Sequence, residues 1–229
     1  MIQKEMMSDR ATARITGILF IIATAASILS LPFLQSINAS TYLVDVSANG
    51  NLVTAGAMLL FIAAAASASI AISMYPILRR NNLGLALGAV GFRLIEAVFY
   101  IVGVVGLLSL LSLSQEFVNA GVPASPYYQA LGDLTLAAYH WAGNVASLLA
   151  FSLGAAMYYI IFYRTRLVPR WLSGWGLIAI SLTMVSGVLV MFNLVAPMST
   201  GQVVLNLPIA VQEMALAVWL IAKGFNTTA

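Results

Sequence analysis

Residues 83–113 read LGLALGAVGFRLIEAVFYIVGVVGLLSLLSL, and within them only Arg93 and Glu96 carry charge. A helix rises about 1.5 Å per residue and a bilayer's hydrocarbon core is roughly 30 Å thick, so about 20 apolar residues cross it. This stretch is long enough to span a membrane and too apolar to be kept in water. Further runs behave alike, giving candidate spans at 13–34, 52–78, 83–113, 137–163, 171–195 and 203–222. They fill most of the 229 residues and leave no room for a separate soluble domain. Charged residues are 7% of the chain and mean hydropathy is +0.98, more apolar surface than a soluble fold can hide. The expected fold is all-α: one polytopic membrane bundle of six transmembrane helices covering 1–229.

Orientation follows from Lys and Arg in the short flanks. Lys4, Arg10 and Arg14 stand at the start of the first span, and Arg79 and Arg80 join the second to the third. Arg164, Arg166 and Arg170 join the fourth to the fifth, and Lys223 follows the sixth. The remaining connections carry only Asp45, Glu116 and Asp133. Apart from Arg93, every cation falls on one side, so both termini are expected in the cytoplasm. The apolar stretch of the first span exceeds the 7–15 residues usual in a cleaved signal peptide, and it is read as a retained helix.

The formal charge of +3 suits contact with anionic lipid headgroups. No loop clusters enough basic charge to follow a phosphate backbone, so membrane lipids are the expected partners and nucleic acid is not. Cysteine is absent, which removes disulfides, thiolate metal sites and cysteine nucleophiles.

Small residues crowd the second span from Ala63 to Ser73, and the third opens with Gly84-x-x-x-Gly88 followed by Gly91. In lipid, small side chains let helix backbones approach, so these are expected to mark helix contacts. Tyr158, Tyr159, Tyr163, Trp171 and Trp175 flank one membrane face, and Tyr127, Tyr128, Tyr139 and Trp141 the other; both groups read as aromatic belts. Residues 114–136, with Gly121, Pro123 and Pro126, read as the longest connection. Pro208 lies early in the sixth span, so the helix either starts near Asn206 as an N-cap or kinks there.

The residues that invite chemistry are the ionisable ones stranded in lipid. Arg93 lies roughly 20 Å along the third span, with Glu96 about 4–5 Å further on the same face, and Glu213 lies roughly 15 Å from the end of the sixth span. All three fall near the bilayer midplane. A charge there costs about 2.5–3.5 kcal/mol on insertion scales, so each must face protein or water and find a partner. The expected arrangement is a buried cluster in which Arg93 bridges Glu96 and Glu213. It is either a pocket for a small solute or proton, or a structural clasp joining the third and sixth helices.

His140 and Asn144 stand one turn apart near the outer end of the fourth span. Gln202, Asn206 and Glu213 form a stripe along the sixth, and Gln212 sits on a neighbouring face. The stripe lines a vestibule or marks the side facing other helices. One histidine excludes a bis-His haem or a three-His zinc site, and no metal or cofactor is expected. No lysine lies within a span, which rules out a Schiff base there.

Taken in order, Arg14-Ile15-Thr16-Gly17, Arg93-Leu94-Ile95-Glu96, Leu167 through Pro169-Arg170-Trp171-Leu172-Ser173-Gly174-Trp175-Gly176, and Glu213 through Trp219-Leu220 to Gly224 resemble the bacterial membrane-protein family called domain of unknown function 4386. The resemblance covers nearly the whole chain. It implies a multi-pass protein of the bacterial cytoplasmic membrane with no assigned reaction. Three functional classes remain: a protein binding or moving a small polar or amphipathic solute or a proton, an accessory subunit docking a partner or a second copy, and an intramembrane lipid enzyme. The last lacks a nucleophile, a metal-ligand set or a paired acidic motif for a diphosphate.

Overall fold

The computed structural model describes residues 2–121, 126–197 and 199–226, with side chains from Asp9 onward. The Lys4 side chain and Pro123 lie outside them. Helix α1 is Ile2–Phe33. A short turn, Gln35–Asn38, leads to α2, Tyr42–Ala48. Then come α3, Gly50–Leu78, and α4, Leu83–Asn119. The fourth span is a single rod: α5, Pro126–Ala138, passes through a π-helical stretch, Tyr139–Ala146, into α6, Ser147–Thr165. Helices α7, Arg170–Met191, and α8, Thr200–Ala222, complete the chain. Six of these rods are long and apolar enough to cross a membrane, so the protein is an all-α polytopic bundle.

Polar caps set where the helices begin. Asn82 accepts from the Leu85 amide at 2.9 Å to open α4, and Ser199 accepts from the Gln202 amide at 3.4 Å to open α8. Each side chain satisfies an amide that has no partner within its helix. The α8 cap lies well ahead of Asn206, so Asn206 is not the N-cap and Pro208 sits inside the helix.

The spans form a closed ring. Helix α1 packs on α3, α3 on α4, α4 on α6, α6 on α7, α7 on α8, and α8 back on α1. Helix α4 therefore stands opposite α8, three places round. Close approaches between backbones hold the ring. A Cβ on Gly17 would meet the Ala217 carbonyl at 2.7 Å, and one on Gly103 would meet the Gly143 Cα at 2.8 Å.

Two apolar cores occupy the ends. Phe20, Met74, Tyr158, Tyr159, Phe162 and Leu172 fill the end that bears the termini and the basic residues. Leu34, Leu43, Val46, Leu107, Leu110 and Tyr139 fill the other. At the basic end Arg80 also pairs with Asp9 at 2.8 Å.

Several sequence expectations change. Residues 114–136 are not a long loop, because α4 runs on to Asn119 and α5 resumes at Pro126. These helices are capped from the side by α2, where the Tyr42 hydroxyl donates to Asp133 at 2.6 Å. Tyr158 and Tyr159 are fully buried in the basic-end core rather than set in a belt. Tyr139 is buried too, whereas Tyr127, Trp141, Tyr163 and Trp171 remain exposed as belt residues should. Of Gly84, Gly88 and Gly91, the glycines at the start of the third span, only Gly88 touches another helix, against Met157. Gly91 meets nothing, and Gly84 meets only the nearby Asn82 side chain. In the second span the small residues do face inward: Ala63, Ala64, Ala66, Ser67 and Ala71 are buried.

Candidate functional site

The site begins with Arg93, 2% exposed, on the inner face of α4. Its Nη1 stands 3.1 Å from Glu96 Oε2, one turn along the same helix. Its Nε donates to the Ser67 carbonyl of α3 at 3.4 Å, and its guanidinium lies over the Phe151 ring of α6 at 4.8 Å. Glu96 also accepts from the Ser67 hydroxyl at 2.7 Å. Space for the arginine comes from Gly154, where a Cβ would press on Arg93 Cγ at 3.1 Å. The pair stands at ion-pair distance, but neither Arg93 Nη1 nor Glu96 Oε2 makes a hydrogen bond, so part of the desolvation cost of these buried charges stays uncompensated.

Glu213 faces this group from the opposite wall. It lies in the field of Arg93 and near the Tyr158 hydroxyl, yet no ion pair joins it to Arg93 among the described residues. Its Oε1 is buried without a hydrogen-bond partner, as is the Oδ1 of Asn206, two turns away on α8. The expected Arg93 bridge between two acids is thus half realised. Arg93 pairs with Glu96, while the ring geometry holds Glu213 across a gap.

That gap is a cavity of about 230 Å³. Every span contributes to its wall: Ser27 from α1, Ser67 from α3, Arg93 and Glu96 from α4, Phe151 from α6, Thr183 from α7 and Glu213 from α8. A second cavity of about 400 Å³ lies toward the outer end and includes His140, Asn144 and Gln202. Ser27, Tyr100, Ser147 and Asn206 line both cavities, together with Ile28, Leu148 and Ala210, so the two adjoin at a neck of mixed polar and apolar side chains. The stripe of Gln202, Asn206 and Glu213 lines this path from the outer end to the midplane. His140 Nδ1 stands 3.1 Å from Asn144 Nδ2 at the outer cavity.

Gln212 belongs elsewhere. It is fully buried, accepts from the Tyr159 hydroxyl and donates to the Leu172 carbonyl at 3.0 Å, so it stitches α6, α7 and α8 together. Ser27, Tyr100, Phe151 and Thr183 also line the cavity, and the sequence reading singled out none of them. A hydroxyl or tyrosine in mid-span was the available signal: Tyr100 lies far from either end of α4, where a belt tyrosine has no place.

Chemically, the inner cavity offers a self-neutralised Arg–Glu pair on one side and unpartnered oxygen acceptors on the other. No group of three or more His, Asp or Glu side chains converges to hold a metal among the described residues.

No curated protein and no solved structure matches the chain. The family model described as Domain of unknown function (DUF4386) matches residues 15–224, and this integral membrane protein belongs to that family.

Proposed function

We propose that the protein binds, and in doing so moves, a small polar or amphipathic solute or a proton in its midplane cavity, entered from the end opposite the termini. The observation that carries this reading is Glu213 Oε1, an unpartnered buried acceptor on a cavity wall that faces a charged pair. An unsatisfied polar group in lipid is costly, so it persists where something else completes it. The adjoining cavities, with Gln202, Asn206 and Glu213 along their α8 wall, supply a route to it. The basic flanks support a reading in which the protein sits in a bacterial cytoplasmic membrane with its termini inside, and on that reading the cavity mouth faces outward.

The test is small-molecule mass spectrometry on protein purified in lipid nanodiscs. The wild type should retain a solute that Glu213→Gln loses at least fivefold. A wild-type spectrum identical to that of empty nanodiscs would overturn the reading.

A second reading, an accessory subunit with structural charges, draws on the Arg93–Glu96–Ser67 network, which joins α3 to α4 without any ligand. It requires Glu213→Gln to lower abundance sharply, whereas the solute reading requires abundance to hold.

A further inference from the structure

The seam between α1 and α8 is closed at one end and open at the other. Near the basic end the helices touch, with Gly17 against the Ala217 carbonyl and Ile221, and Leu216, Ala217 and Leu220 are fully buried. In the outer half, Ile28 and Leu31 of α1 and Val203 and Leu207 of α8 line the outer cavity. The same four side chains are 47–56% exposed. Leu207 lies about 10 Å into α8 from Thr200, and Ile28 about 8 Å from the end of α1. Both therefore stand at the depth of the outer-leaflet acyl chains. Apolar residues that line a polar-ended cavity and also face lipid form the rim of a lateral opening.

The inner cavity selects a head group. Arg93 has its charge balanced by Glu96 at 3.1 Å, although its Nη1 makes no hydrogen bond. What remains unpartnered on the α8 wall, Glu213 Oε1 and Asn206 Oδ1, only accepts hydrogen bonds. With all three charges present the pocket carries one excess negative charge, which repels an anionic head and attracts a cationic donor. At about 230 Å³, and with a water taking about 30 Å³, the inner cavity holds a head group and a few carbons but not a lipid. Any longer tail must run through the outer cavity and out of the seam.

We infer that the site takes a single-chain amphiphile with a protonated amine head, admitted sideways from the lipid between α1 and α8, its head at Glu213 and its tail at Ile28, Leu31, Val203 and Leu207. This rests on the midplane cavity being a solute site and narrows which solute it is. No covalent step is implied.

The experiment uses the full chain in phosphatidylcholine nanodiscs, titrated with dodecylamine, dodecanol, dodecanoate and methylamine, and read by thermal melting and native mass spectrometry. Partition into lipid is common to wild type and Glu213→Gln, so their difference reports the site. Dodecylamine should bind wild type about tenfold more tightly than the variant, and more tightly than the other three probes. A dodecylamine bearing a photoreactive group at the tail end should label the outer halves of α1 and α8, a readout that needs no variant to fold. Equal binding of dodecanol or dodecanoate, or labelling confined to other helices, would overturn the inference. Methylamine binding as tightly as dodecylamine would overturn it while leaving the solute cavity in place. No binding by any probe, together with no co-purifying solute, would remove both.

Discussion

Arg93 and Glu96 close their 3.1 Å ion pair within a single helix, so the strongest charge contact in the membrane ties α4 to itself. Breaking it from the acid side with Glu96→Gln leaves the buried guanidinium without its ion-pair partner, with only the more distant Glu213 to offset it, at a cost of up to about 3–5 kcal/mol. Arg93 and Glu213 share no ion pair. In double-mutant cycles by denaturation in detergent, the Arg93–Glu96 coupling should therefore be at least twice the Arg93–Glu213 coupling. The reverse order would mean that the two walls are bonded and the gap is closed in the working protein.

Gln212 and Glu213 are neighbours with opposite expected phenotypes. Gln212→Leu strands the Tyr159 hydroxyl and removes a second bond to the Leu172 carbonyl and should cost about 1–3 kcal/mol, seen as lower melting and abundance with solute retention intact. Glu213→Gln should do the opposite, sparing stability while emptying the cavity. Melting curves and mass spectra of the two variants, measured side by side, separate packing from binding.

Glycines on one helix should also part company. At Gly103 an added methyl would press on the Gly143 backbone at 2.8 Å, so Gly103→Ala should destabilise by about 1–3 kcal/mol. At Gly91 a methyl meets nothing within 4 Å, and Gly91→Ala should be neutral or stabilising by about 0.5–1 kcal/mol. Relative abundance in membranes is a sufficient readout, and equal losses at both sites would contradict the packing described.

The outer cap has its own pH dependence. Burial, aided by its hydrogen bond to Asp133, pushes the Tyr42 hydroxyl above its ordinary value of 10.0. A raised value in the folded state means that the neutral hydroxyl is favoured there. The contribution is fully present below pH 10 and is lost as pH rises through the higher folded value. Hydrogen exchange of α2 should accelerate above pH 10, and Tyr42→Phe, which has no proton to lose, should abolish that added acceleration. The same variant forfeits a bond to a charged acceptor, about 1–2 kcal/mol at neutral pH.

Much of the site was readable in advance because its members break a local rule. Arg93, Glu96 and Glu213 are ionisable side chains in runs that should hold none, and lipid forces such groups inward whatever their neighbours. The vestibule stripe on α8 was legible from four- and seven-residue spacing. The belt assignment failed at Tyr158 and Tyr159 because a tyrosine near a helix end points to headgroups or core according to which face it occupies, and hydropathy carries no face. Residues 114–136 misled because proline and glycine were weighed while the packing of α5 beneath α2 was invisible.

Hydropathy and charge, read residue by residue against a bilayer of known thickness, were enough to establish six crossings, both ends of the chain on one side, and a need for partners at three midplane charges. Those are sums over neighbouring residues, and no distant contact enters them. Only the tertiary structure decided that α4 and α8 stand on opposite walls, that Arg93 therefore reaches Glu96 and not Glu213, and that the space between is open. That outcome depends on which helix lies beside which. It is set by contacts such as Gly17 on Ala217 and Gly103 on Gly143, between residues far apart in the chain, whose complementarity no local pattern records.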